Sequence, residues 1–411
     1  VFTRALMYNL GVSESIGVFV FLPFCKIICT YCDFNVYAHL ARLMEPYADA
    51  VAGEIQNSKF EIQNLSPRAH SIFLGGGTPS LVSAAHVAKI LRACRDAFEV
   101  EPDAEITLEA NPATADAEKM RAWRALGINR LSIGAQAFDD ATLKRLNRGH
   151  NAADAVEMFE MARRAGFDNL NFDFIFGLPL QTLAAWRATL TRALELQPEH
   201  LSLYALRVEE KTGLEFQIAR GKYPKPDDDL AADMYEMAEA MLDAAGYAHY
   251  EISNWALKSP QSRVQSPTSN FQPPTSNLQS RHNLTYWLNE PYLGFGAGAH
   301  SYFDGARFST VLSPIEYIAR VERGESVVAM REEIGRDLEM AETMFLGLRL
   351  SEGITLARFR ARFGIDAREK YAGEIKEVEA IGLLEHAAGN LRLTPRGRLL
   401  SNQVFWRFLP D

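Results

Sequence analysis

Cys25, Cys29 and Cys32 fall within eight positions, in the run Cys-Lys-Ile-Ile-Cys-Thr-Tyr-Cys. Thiolates are soft metal ligands, and three on so short a loop can each hold one iron of a cubane cluster, leaving the fourth iron open to an external ligand. Zinc competes for the same donors, with His39 or Asp33 to complete a site, and a redox thiol pair is a further alternative. No second Cys-x-x-Cys pair exists, which counts against zinc. Asp33, not His, follows Cys29-x-x-Cys32, which excludes the c-type haem attachment pattern. Cys94 is isolated in a helical stretch and reads as a buried structural thiol.

Other residues could serve a ligand beside such a cluster. The run Gly75-Gly76-Gly77-Thr78-Pro79 would let backbone amides approach an anion without Cβ interference, although a tight turn after a strand uses glycine anyway. Glu109, Gln136 and Asp173 lie in or at the ends of apolar runs, and Arg148 follows a short helical stretch. Each alone fits a cap or an ion pair; together they complement a zwitterionic ligand. Farther on, His282 opens the segment His-Asn-Leu-Thr-Tyr286-Trp287. A neutral imidazole is a good iron ligand and the two aromatics could wall a porphyrin, while a lone His beside aromatics more often simply packs. His300, in Gly-Ala-Gly-Ala-His, is the reserve iron ligand.

These groups need elements to position them. Short β-rich runs at 18–22, 71–74, 105–109, 130–135, 169–176 and 200–204 alternate with amphipathic helical stretches at 43–61, 83–98, 116–125, 152–165 and 183–196. That alternation predicts βαβ units and a parallel sheet, here an α/β fold closed partway into a (β/α)6 barrel. The loops after the strands then converge on one mouth, with the cysteine loop first among them. A helix is expected from 227 to 245, and beyond 331 the pattern turns mainly helical (337–348, 356–363, 369–380), as in a small winged-helix-like domain. The division is thus an irregular lead-in (1–16), a core barrel (17–240), a connecting region (241–330) and a C-terminal domain (331–411).

Residues 259–280 hold one charge, almost no apolar side chains and the near-repeat QSPTSNFQ, QPPTSNLQ. Such a segment cannot offset its ordering entropy by burial and reads as a disordered surface insertion, ending two residues before His282. The chain has 411 residues, 47% hydrophobic and 23% charged, enough to build a substantial core. With 43 Lys and Arg against 52 Asp and Glu the net charge is −9, which disfavours a nucleic-acid partner, including for the C-terminal domain. The apolar run at 17–24 is too short to span a bilayer, and four cysteines make no disulfide framework; a cytoplasmic setting is expected. Peripheral membrane contact, a homodimer and the true start of the reading frame stay open.

With these residues in view, the C-x3-C-x2-C triplet after a first β/α-barrel strand resembles the radical S-adenosylmethionine (SAM) superfamily, and the Gly-Gly-Gly-Thr-Pro element is similar to one in the same family. The resemblance implies a [4Fe-4S] cluster on Cys25, Cys29 and Cys32. In the coproporphyrinogen-oxidase-like branch it implies SAM contacts from Gly76, Gly77, Thr78, Glu109, Gln136, Arg148 and Asp173, with Tyr31 beside the last cysteine. That branch usually reads Tyr-x-His-x-Pro-Phe-Cys before the cluster; here Phe19 and Phe21 replace the two polar residues. Residues 130–134, 171–179, 250–255, 294–302 and above all the HNLTYW segment look similar to the HemW-type haem chaperones of that branch. This implies haem held through His282 and delivered to haem-accepting apoproteins. The alternative is the branch's oxygen-independent coproporphyrinogen III dehydrogenase, whose fourth cysteine, two residues after the third, is Phe34 here.

Overall fold

A computed structural model describes residues 15–61, 67–258 and 278–410. Most of the expected lead-in (1–14) and of the expected disordered insertion (259–277) lie outside the described residues.

All six expected strands form. Ser15–Leu22, Arg68–Gly76, Glu99–Ala110, Arg130–Gln136, Leu170–Phe176 and His200–Ala205 pair side by side in that order, every pair parallel. Helices Met44–Glu61, Ala84–Ala97, Ala117–Ala125, Ala152–Arg164 and Leu183–Leu196 connect them. Two helices begin one residue later than their periodicity suggests because the first polar residue is a cap: Ser83 accepts from the His86 amide and Asp116 from the Lys119 amide. In the first strand Val18, Val20 and Leu22 are buried in the main hydrophobic core, while the alternate Phe19 packs with Phe73 of the second strand and with His282.

The six parallel strands are the middle of a longer sheet. Among the described residues twelve strands form one sheet. Tyr292–Phe295 adds in parallel beside the first strand, followed by antiparallel His300–Phe303, Ala306–Thr310 and Val328–Glu333. At the other end, Asn254–Leu257 and Tyr247–Glu251 pair antiparallel beyond the sixth strand. The connecting region therefore extends the sheet at both edges. It also supplies the helix Arg281–Trp287, which packs against the first two strands.

The C-terminal residues have a core of their own, built from Met344, Phe359, Val378, Leu391 and Phe408 among others. Helices Arg336–Gly347, Leu356–Phe363 and Ala372–Ala380 accompany a three-stranded sheet of Ile354–Thr355, Asn390–Leu393 and Leu384–Ala387. The single helix expected over 369–380 breaks at Tyr371, whose ring packs against Phe359 and Phe408.

Candidate functional site

The cysteine loop leaves the barrel through a small clamp. Phe24–Cys25 pairs in parallel with Tyr37–Ala38, so the segment between them projects as one closed loop at the C-terminal end of the first strand. Neighbouring loops pin it: the Thr30 amide donates to Leu146 O, the Leu214 amide to Thr30 O, and Asn147 Nδ2 to Ile28 O. All three loop thiols are partly exposed, whereas Cys94 is fully buried, as a structural thiol would be. Burial raises Cys25 and pushes Cys32 up to about 11, so thiolates here need positive partners.

One such partner is Arg148. Its Nη1 lies 3.4 Å from Cys29 Sγ, and its Nη2 donates to Asn111 Oδ1 (2.8 Å) and Gly134 O (2.6 Å). Asn111 Nδ2 in turn donates to Thr78 Oγ1 at 2.9 Å, and Thr78 Oγ1 lies 3.6 Å from Cys25 Sγ. A ring of polar groups thus ties Cys25 to Cys29 through Thr78, Asn111 and Arg148. Tyr31 packs beside Leu146, Ile175 and Leu178; burial raises its phenol above the usual range, and its neighbours there include Arg148 and Cys29. Asn111 was missed in the sequence, where Asn-Pro after a strand reads only as a turn; its signal was its place two residues after Glu109.

The glycine run also makes room for the protein's own side chains. A Cβ on Gly76 (φ +112°) would strike the Phe21 ring at 2.8 Å, and one on Gly75 would strike Phe73 and Phe19. At Gly77 a Cβ would meet Phe24 O at 2.7 Å. These glycines make room for the protein's own aromatic rings and backbone, the rings including the two that replace polar residues at 19 and 21. The Gly76 amide donates 2.9 Å to Glu109 Oε2.

Glu109 and Asp173 face the same barrel interior. Asp173 accepts from Ser132 Oγ and Asn171 Nδ2, both at 2.9 Å. Burial, then the Asp173 charge, pushes Glu109 up to about 8. Gln136 ends the fourth strand with φ +65°, a left-handed conformation uncommon for a non-glycine residue. Below this pair a chain of hydrogen bonds crosses the barrel: Asn171 Oδ1 to His200 Nδ1 (2.7 Å), then His200 Nε2 to Tyr250 Oη (2.9 Å). Burial holds His200 well below the usual imidazole range, so the ring is neutral.

The structure places the His282 imidazole in the interior. His282 is 1% exposed. Its Nδ1 pairs with Ser71 Oγ and its Nε2 with Tyr286 Oη, each at 2.9 Å. Phe19 and Phe73 stack on the ring. Tyr286 sits edge-on to the ring, while helical geometry turns Trp287 to the opposite face. Glu105 caps the helix by accepting from Ser280 Oγ and the Arg281 and His282 amides. His300, the reserve ligand, is exposed at the start of its strand.

Residues 19–193 match the Radical SAM superfamily and residues 336–400 the HemN C-terminal domain. The chain is 35% identical over 396 residues to heme chaperone HemW of Bacillus subtilis, covering 96% of this chain and 99% of that protein. The chain belongs to the HemW family. Its HemW-family relatives include heme chaperone HemW of Lactococcus lactis, 33% identical over 95% of this chain and 96% of that protein. A mitochondrial radical S-adenosyl methionine domain-containing protein 1 from Bos taurus is 34% identical, covering 90% and 82%. The fold also matches coproporphyrinogen III oxidase (HemN) from Escherichia coli, with a TM-score of 0.80 at 21% identity over 99% of this chain and 93% of that one. Among the described residues no helix is long and apolar enough to cross a membrane.

For this HemW-family chain the Glu109 carboxyl carries a testable pH signature. Its folded-state value near 8 lies above its ordinary 4.5, so it contributes stability that is fully present below pH 4.5 and lost as pH rises through 8. The metal-free, ligand-free protein should lose on the order of 3–5 kcal/mol across that window from this group. Glu109→Gln keeps an acceptor for the Gly76 amide and should flatten the slope, as urea unfolding at pH 5, 7 and 9 would show.

Proposed function

We propose that this protein is a haem chaperone: it carries haem through His282 and delivers it to apoproteins, and it holds a [4Fe-4S] cluster and binds SAM. The observation that carries this reading is the nearly full-length likeness to proteins named heme chaperone HemW. In this division of labour the barrel (17–240) serves the cluster and SAM, the connecting region (241–330) brings His282, and residues 331–411 pack beside it.

The donor set fits the cluster. Cys25, Cys29 and Cys32 are three thiols on one pinned loop, with the Arg148 charge beside Cys29 to offset theirs. When bound, a reduced cluster of this type supplies the electron that cleaves the SAM sulfonium. Around it, Tyr31, Gly76, Gly77, Thr78, Glu109, Gln136, Arg148 and Asp173 are the proposed SAM contacts. Arg148 and Asn111 hold the cysteine loop against Thr78, so the mouth is preorganised. Glu109 is largely protonated at neutral pH, and a ligand ammonium beside it would favour the carboxylate. SAM binding below pH 8 should therefore release a proton.

At neutral pH His282 is uncharged, since burial lowers it to about 3, and a neutral imidazole is what iron requires. Ser71 and Tyr286 must release it first. Titrating the protein with haemin tests the reading: a saturable Soret shift at one haem per chain is expected, and a titration with no shift would overturn it.

A further inference from the structure

A cavity of about 440 Å³ lies between the helix Arg281–Trp287 and the C-terminal residues, on the opposite side of that helix from His282. Its volume falls within the range of small-molecule sites. Leu284, Trp287 and Leu288 form one wall and Ile354 and Phe359 the other. Two guanidinium groups also line it. Arg358 donates to Glu290 at 2.6 Å with its side chain 47% exposed, and Arg362 is held by Glu339 and Asn289 O. The buried Trp287 Nε1 has no hydrogen-bond partner, a donor left unmet beside the cavity. Tyr250, the last member of the hydrogen-bonded chain from Asp173, also lines it.

We propose that this cavity is a seat for a flat apolar ligand carrying carboxylates, with Arg358 as the carboxylate anchor and the Trp287 and Phe359 rings as walls. The chemistry is that of a porphyrin with two propionates, so the proposal rests on the haem-chaperone reading and deepens it. Arg–carboxylate pairs take planar, two-point geometry, and the exposed Arg358 can exchange its Glu290 partner for a ligand carboxylate. Glu352, also at the wall, would repel a carboxylate placed on its side and so fixes which edge of the ligand faces Arg358. The seat holds the macrocycle by its faces and its acids, so iron is dispensable for it.

That separates it from ligation at His282. Metal-free protoporphyrin IX, followed by its fluorescence, should bind the wild type and His282→Ala alike. Arg358→Ala should weaken that binding about tenfold, and protoporphyrin IX dimethyl ester should bind the wild type as weakly as the free acid binds Arg358→Ala. Equal binding of the free acid by Arg358→Ala and wild type, or its loss in His282→Ala, would overturn the seat. Failure of the chaperone reading is distinguishable, because haem bound by the wild type would then not pass to an apo-haemoprotein, whatever the outcome for Arg358→Ala.

Discussion

Single replacement of Cys25, Cys29 or Cys32 by Ala is expected to abolish the four-iron signal after anaerobic reconstitution, while Cys94→Ala leaves it intact. The effect should be all or nothing. A cubane with an open iron has only three protein thiolates, so losing one leaves two irons without ligands. Cys94 cannot substitute, because it is fully buried in the helix Ala84–Ala97, and burial pushes its thiol up to about 12. Iron content and the reduced EPR spectrum are the measurements. Four irons retained in any one of the three variants would sink the assignment. Thr78→Ala and Asn111→Ala give a graded comparison: they cut the ring that ties Cys25 to Cys29 and should leave a cluster that oxygen destroys faster.

The second large effect concerns His282. His282→Ala should remove or displace the Soret band of the haem complex and leave the cluster spectrum unchanged, since the two sites use different segments. The structure adds a constraint on rate. Ligation requires the imidazole to leave Ser71 and Tyr286, so Tyr286→Phe, which removes one of the two hydrogen bonds, should speed haem uptake. The same burial predicts acid sensitivity. With a folded-state value near 3 against an ordinary 6.5, His282 contributes stability that is present above pH 6.5 and lost as pH falls toward 3. The contribution is on the order of 4–5 kcal/mol, and His282→Asn should unfold less steeply over that window in urea titrations. An unchanged Soret band in His282→Ala would move the iron ligand to His300 or elsewhere.

Much of the barrel was legible because its strands and helices differ in period and length. What escaped were elements with little local signal. Tyr292–Phe295 has four residues, two of them in a Gly-rich stretch, and takes its identity from pairing with a strand more than 270 positions earlier. For His282 packing was one of two readings, but its partners were not legible, because Ser71, Phe19 and Phe73 are its neighbours only in the folded chain. The glycine run was visible, but not that Phe19, Phe21 and Phe73 lie against two of its glycines, which no local pattern could reveal. The cysteine triplet was read directly from spacing, yet the Arg148 and Asn111 links that hold its loop join three separate strand ends.

On the proposed reading haem is cargo here, and coproporphyrinogen III is not a substrate. Where the related dehydrogenase has a fourth cysteine, this chain has Phe34, 66% exposed on the cysteine loop. The most direct measurement mixes the haem-loaded, cluster-reconstituted protein with an apo-haemoprotein under anaerobic, reducing conditions, with SAM and coproporphyrinogen III present. Haem is expected to appear in the acceptor, with coproporphyrinogen III recovered unchanged. SAM-dependent formation of protoporphyrinogen IX, with the haem still on the donor, would contradict it.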